Sequence, residues 1–115
     1  MVKVEAVVVR EKVEAVMDAV TDRTGHVGVT VIESVGHGRQ PGITHEYRGR
    51  VFESRFLPKA LLIFLVEDEG AGAIVETIAE TARTGHESGD GIVWTTPVLE
   101  VRHNRTGRDL QEVEA

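Results

Sequence analysis

A short phrase occurs twice in this chain, TDRTGH at residues 21–26 and TARTGH at residues 81–86, and each copy closes a segment with a helical apolar stripe. In residues 11–24, Val13, Val16, Met17 and Val20 fall at i, i+3, i+4 and i+7, which predicts a helix buried on one face. In residues 70–84, Ile74, Val75, Ile78, Ala79 and Ala82 line one face in the same way. Gly25 and Gly85 then stand where a left-handed residue ends a helix. Each helix is flanked by strand patterns. Residues 2–9, VKVEAVVV, alternate at first and then run apolar on both sides. Residues 27–35 put Val27, Val29, Val31 and Val35 on one face. Residues 57–67 hold ALLIFLV, bounded by Pro58 and Gly70, which reads as a strand buried on both faces. Residues 92–101, IVWTTPVLEV, form the last strand, edged or broken at Pro97.

Two βαβ halves in so short a chain predict one domain over residues 1–115, an α+β, ferredoxin-like βαββαβ sandwich. Four antiparallel strands lie on one side and two helices on the other. The helices cover only one face of the sheet, yet the ALLIFLV strand is apolar on both. The second face therefore calls for another cover, most simply further copies of the chain.

Composition narrows the functional classes. The formal charge of −6 and the scarcity of aromatic residues argue against a nucleic-acid binder. With no cysteine, disulfides, thiolate zinc sites and thiol catalysis are excluded. The start of the chain alternates Val with Lys and Glu, unlike a signal peptide, and no apolar run approaches the roughly 20 residues of a membrane span. The cytoplasm is the expected location, without membrane insertion.

Between the second and third strands, residues 35–59 read VGHGRQPGITHEYRGRVFESRFLPK, with no hydrophobic period. Loops of this length in small domains are usually functional. Three stretches have the makings of an anion site. Gly36, His37, Gly38, Arg39 and Gln40 combine close backbone approach with a cation. Ser88, Gly89, Asp90 and Gly91 follow the second helix, and residues 102–108, RHNRTGR, follow the last strand. Arginine suits phosphate because its planar donors bind as a fork. Each stretch alone reads equally well as a turn with surface charge, and the Walker pattern is absent. The histidines His26, His37, His45, His86 and His103 form no HxxxH or HExxH pair. His26 and His86 follow the helix ends, where a cation meets the helix dipole. Thr106, Ser54 and Tyr47 have no activating partner in sequence, so no nucleophile and base stand out.

Taken together, GHGRQPG at residues 36–42, EYRG at 46–49, FLPK at 56–59, TARTGHESGDG at 81–91 and RTG at 105–107 resemble the PII signal-transduction family over nearly the whole length. The resemblance implies a homotrimer with its sheets facing inward. Residues 36–56 would be its T-loop, 85–91 its B-loop and 102–115 its C-loop and tail. It implies clefts between subunits that bind ATP or ADP, lined by Thr30, Gly36, Gly38, Arg39, Gln40, Gly89, Asp90, Gly91 and Arg102, with Arg105 reaching across from a neighbour. It also implies 2-oxoglutarate beside Mg-ATP, with Gln40 on the metal and Lys59 on a carboxylate, and a partner protein regulated through the T-loop in nitrogen and carbon metabolism.

Several positions depart from the family pattern. Ile92 stands where a B-loop lysine meets phosphate, and the loop has one extra residue among His86, Glu87 and Ser88. Lysine loss there weakens triphosphate binding or shifts preference to ADP, AMP or another adenine nucleotide. The C-loop reads RHNRTG, so either His103 aligns with the first arginine or Arg102 substitutes after an insertion. Phe52 replaces the tyrosine that some members modify, so no nucleotidylation is expected there. Ile63 replaces an acidic residue, and Pro41 replaces a lysine at the loop base, which stiffens the root and counts against 2-oxoglutarate. Two sensor readings stand side by side: the nitrogen and carbon sensor, and a divergent PII-like sensor without 2-oxoglutarate. A slow nucleotide hydrolase lacks a base or metal set, and a trimeric scaffold that binds metal or no ligand has little support from the histidine spacing.

Overall fold

Lys3, Glu5 and the valines around them open a strand, β1 (Val2–Val9), that becomes one of the two inner members of a four-stranded antiparallel sheet. In the computed structural model the described residues are 1–37, 43–48, 50–54, 56–86 and 89–110, with residues 43–47 and 50–54 described as main chain only. A 3-10 turn, Arg10–Lys12, leads into α1 (Val13–Thr24), which ends on Gly25 in the left-handed conformation at φ 77°. There follow β2 (Thr30–Gly36), β3 (Ile43–Tyr47), β4 (Arg50–Ser54), β5 (Leu57–Val66), α2 (Asp68–Thr81) and β6 (Ile92–Pro97). The main sheet runs β2-β5-β1-β6, and β3 and β4 form a separate two-stranded ribbon. This is the ferredoxin-like α+β arrangement. Among the described residues no helix is long and apolar enough to cross a membrane.

The register sorts the sheet into two faces. Val4 pairs with Phe64, Ala6 with Leu62 and Val8 with Ala60, and all are buried against Val16, Val20, Ile74 and Ile78 of the helices. This is the core. A second contact between the helices is the ion pair from Arg23 to Glu80 at 2.6 Å. The intervening rungs carry Val7, Leu61, Ile63 and Leu65 to the opposite face, level with Ile32 of β2 and with Ile92 and Trp94 of β6. On that face Ile92 is 69% exposed and Ile32 47%. This open face is apolar along β5, as the two-faced ALLIFLV run implies, and carries the Lys3–Glu5 ion pair on β1.

Residues 43–54 differ from the sequence expectation of an aperiodic loop. β3 and β4 pair from Ile43 with Ser54 to Tyr47 with Arg50. Arg48 takes φ 51°, as the first position of a tight hairpin turn requires. Other bounds shift. β2 begins at Thr30, so Val27 lies outside it and is exposed. α2 starts earlier and ends at Thr81, so Gly85, though left-handed, stands beyond the helix rather than capping it. β6 stops at Pro97. Residues 101–110 are tied down: Leu110 N–H donates to Val101 O at 2.9 Å and His103 N–H to Arg108 O at 2.8 Å.

Candidate functional site

Three chain segments meet at one end of the main sheet. β1 finishes where Val9 pairs with Lys59, and β2 and β5 pass into and out of the long loop at Gly36 and Leu57. The glycine loop before β6 arrives at the same end, because Ile92 pairs with Val7. Gly91, at φ 96°, crosses so close to β1 that a Cβ would lie 1.7 Å from the Val7 carbonyl oxygen. Only glycine fits such a crossing.

Lys59 joins these segments. Its side chain lies over Gly36, where a Cβ would meet the lysine Cγ at 2.9 Å. It is 7% exposed, which makes it the buried cation among the described residues. Its ammonium donates to the carbonyl of Gly89, itself left-handed at φ 88°. A buried ammonium beside a turn of left-handed glycines is a setting for an anion.

The repeated phrase has a structural counterpart. In the first copy His26 N–H donates to Thr24 Oγ1 at 3.2 Å, and in the second His86 N–H donates to Thr84 Oγ1 at 3.3 Å. The hydroxyls then diverge. Thr24 donates back to Val20 O within its helix, whereas Thr84 donates to the Asp90 carboxylate. That bond, with burial working against it, holds the Asp90 carboxyl below its ordinary value; the Thr84 main chain and the charges of His86 and Lys59 add to the effect. His26 bonds the Gly28 carbonyl at 2.6 Å and its ring packs on Phe64, so it serves the core end of α1 rather than a metal. Among the described residues no cluster of three or more His, Asp or Glu is arranged to hold a metal.

The lowered Asp90 value predicts an acid step. A carboxyl depressed in the folded state contributes stability above its unfolded value of about 4 and loses it as pH falls through the folded value. The amide signals of residues 89–91 are expected to lose their native positions below about pH 4, and in Asp90→Asn this step should be absent. Identical pH profiles in the two proteins contradict the Thr84–Asp90 clamp.

Gly36, Lys59, Gly89, Asp90 and Gly91 are thus brought together, with Thr84 as a member that sequence spacing did not single out. Gly38, Arg39 and Gln40 lie outside the described residues. Thr30, Arg102 and Arg105 are elsewhere. Thr30 opens β2 and Gly36 closes it, which separates them by about 20 Å of extended chain. Arg102 and Arg105 follow the end of β6 that lies beside Met1, since Pro97 pairs with Val2. There Arg102 ion-pairs with Glu100, and Arg105 is exposed at the tip of the turn.

The sequence model of the family described as nitrogen regulatory protein P-II matches residues 1–108. The chain is 42% identical over 107 residues to nitrogen regulatory protein P-II 2 of Methanothermobacter thermautotrophicus, covering 93% of this chain and 91% of that one. It is 40% identical over 107 residues to the P-II protein of Rhizobium meliloti, covering 93% and 94%. It is 42% identical over 112 residues to that of Microchaete diplosiphon, covering 97% and 98%. The chain belongs to the nitrogen regulatory protein P-II family.

Proposed function

We propose that this protein is a cytoplasmic, homotrimeric sensor of adenine nucleotides whose long loop regulates a partner protein in nitrogen or carbon metabolism. The observation that carries this reading is the split of the site residues. Gly36, Lys59 and the glycine loop stand at one end of the sheet, Arg102 and Arg105 follow the strand end at the other, and Thr30 lies between them, level with Ile63 and Glu5. A ligand the size of a nucleotide touches both sets only across a boundary between copies. The apolar open face of Leu61, Ile63, Ile32 and Trp94 supports such a boundary. Phosphates would lie against Gly89, Asp90 and Gly91 with Lys59 as the cation, and Arg39 and Gln40 would complete the loop side. Magnesium and 2-oxoglutarate, if bound, would use Gln40 and Lys59.

A second version, a divergent sensor of ADP or AMP without 2-oxoglutarate, draws support from Ile92. It is apolar and 69% exposed beside the glycine loop, and so adds no charge for a third phosphate. Calorimetric titration with ATP, ADP and AMP, each with and without magnesium and 2-oxoglutarate, separates the two on protein whose mass is read by light scattering. A trimer mass with heat from at least one adenine nucleotide is expected. 2-Oxoglutarate heat only in the presence of Mg-ATP selects the first version. No heat from any of the three nucleotides overturns the sensor reading.

A further inference from the structure

Arg10 is the first residue after β1, and its side chain does one unusual thing. Nε donates to the Lys59 carbonyl at 3.2 Å and the terminal nitrogen donates to the Ser34 carbonyl at 2.6 Å. Ser34 and Lys59 are register partners on β2 and β5, two rungs inside the last pair, Gly36 with Leu57. One guanidinium therefore grips both the strand that enters the long loop and the strand that leaves it. It sits in a pocket of about 350 Å³ with Glu11, Glu14 and Glu33, yet among the described residues it ion-pairs with none of them. Its donors go to main chain instead. A planar fork can hold two carbonyls in fixed relation; an ammonium is a point donor and holds them less rigidly.

Lys59 completes a continuous path. Its carbonyl is held by Arg10, and its ammonium reaches the Gly89 carbonyl. We infer that Arg10 is a positioning residue that couples the glycine loop to the root of the long loop. A displacement of the Lys59 ammonium by an anionic ligand moves the β5 main chain at residue 59, and Arg10 passes that movement to Ser34. Arg10 touches no ligand in this scheme. The inference rests on the sensor reading for the identity of the ligand, but the grip itself does not.

The test is limited trypsin digestion of the full-length protein, with products from cleavage after the exposed Arg48 followed by mass spectrometry, with and without ADP. In Arg10→Ala, ADP affinity by calorimetry should stay within about threefold of wild type, while the ADP-dependent change in cleavage rate should shrink to within about twofold of none. Arg10→Lys should recover part of the response. Thermal melts give the control: a merely structural role lowers the melting temperature and leaves the response intact, which overturns the inference. An unaltered response with unaltered stability overturns it equally. If wild type binds no ADP, the sensor reading is what fails, and the ligand-free digests then decide. Cleavage about fivefold faster in Arg10→Ala supports the grip, and equal rates overturn it.

Discussion

Gly91→Ala is expected to cost about 3 kcal/mol or more of folding stability, the largest effect of any glycine substitution among the described residues. Two penalties coincide. The residue sits at φ 96°, a region where a side chain is strained. Its Cβ would also lie 1.7 Å from the Val7 oxygen, 2.7 Å from the Val7 carbonyl carbon and 3.3 Å from the Val8 Cα. These are main-chain atoms of β1, which is bonded to β5 on one side and β6 on the other, so they have nowhere to withdraw. Relief has to come from lifting the glycine loop and the start of β6. At about 4 °C per kcal/mol for a chain of this size, the melting temperature should fall by about 10 °C or more. Gly70→Ala is the contrast. It lies inside α2 with nothing within 4 Å of the added Cβ, and should gain up to about 1 kcal/mol from helix propensity. A Gly91→Ala protein as stable as wild type contradicts the close crossing.

What the sequence made legible follows from what leaves a period. The helix stripes and the two-faced ALLIFLV run are direct consequences of burial, and they led to the sandwich and to the uncovered sheet face. The hairpin at residues 43–54 left no such trace. A ribbon paired only with itself has no core face to impose alternation, and ITHEY and RVFES carry charges throughout. The remaining signal is local: strand-forming residues on both sides of Arg48. The valine alternation places Val27 and Val35 on one strand face, but β2 starts only at Thr30 and is an edge strand, and the two valines are 73% and 64% exposed. The Gly85 reading failed for a different reason. Its left-handed backbone was foreseen, but α2 stops at Thr81, and the glycine shapes the turn in which Thr84 meets Asp90. Arg10 was illegible altogether. One arginine after a strand has no pattern, and its meaning appears only when Ser34 and Lys59 are placed side by side. The repeat fared better: TDRTGH and TARTGH make the same threonine bond to the histidine N–H.

Lys59→Met should weaken binding of ADP and ATP by about 10- to 150-fold, the equivalent of losing a charge-assisted hydrogen bond of about 1.5–3 kcal/mol. Methionine is the informative replacement because it keeps an unbranched apolar stem over Gly36, where the lysine Cγ now packs, and removes only the ammonium. The fold should therefore persist, with stability changed mainly through the Gly89 carbonyl, which loses this donor. The size of the effect follows from position. Ile92 brings no charge to the glycine loop, and Lys59 is the cation that burial and the Gly36 contact fix beside it. A surface lysine would be screened and nearly dispensable, but a buried one has little water to replace a phosphate oxygen. Calorimetry on the variant, paired with a thermal melt, distinguishes the cases. Weakened binding with a near-native melt places the ammonium on the anion. Wild-type affinity with a near-native melt means that the ammonium does not meet the anion, and that phosphate charge is met by other residues instead.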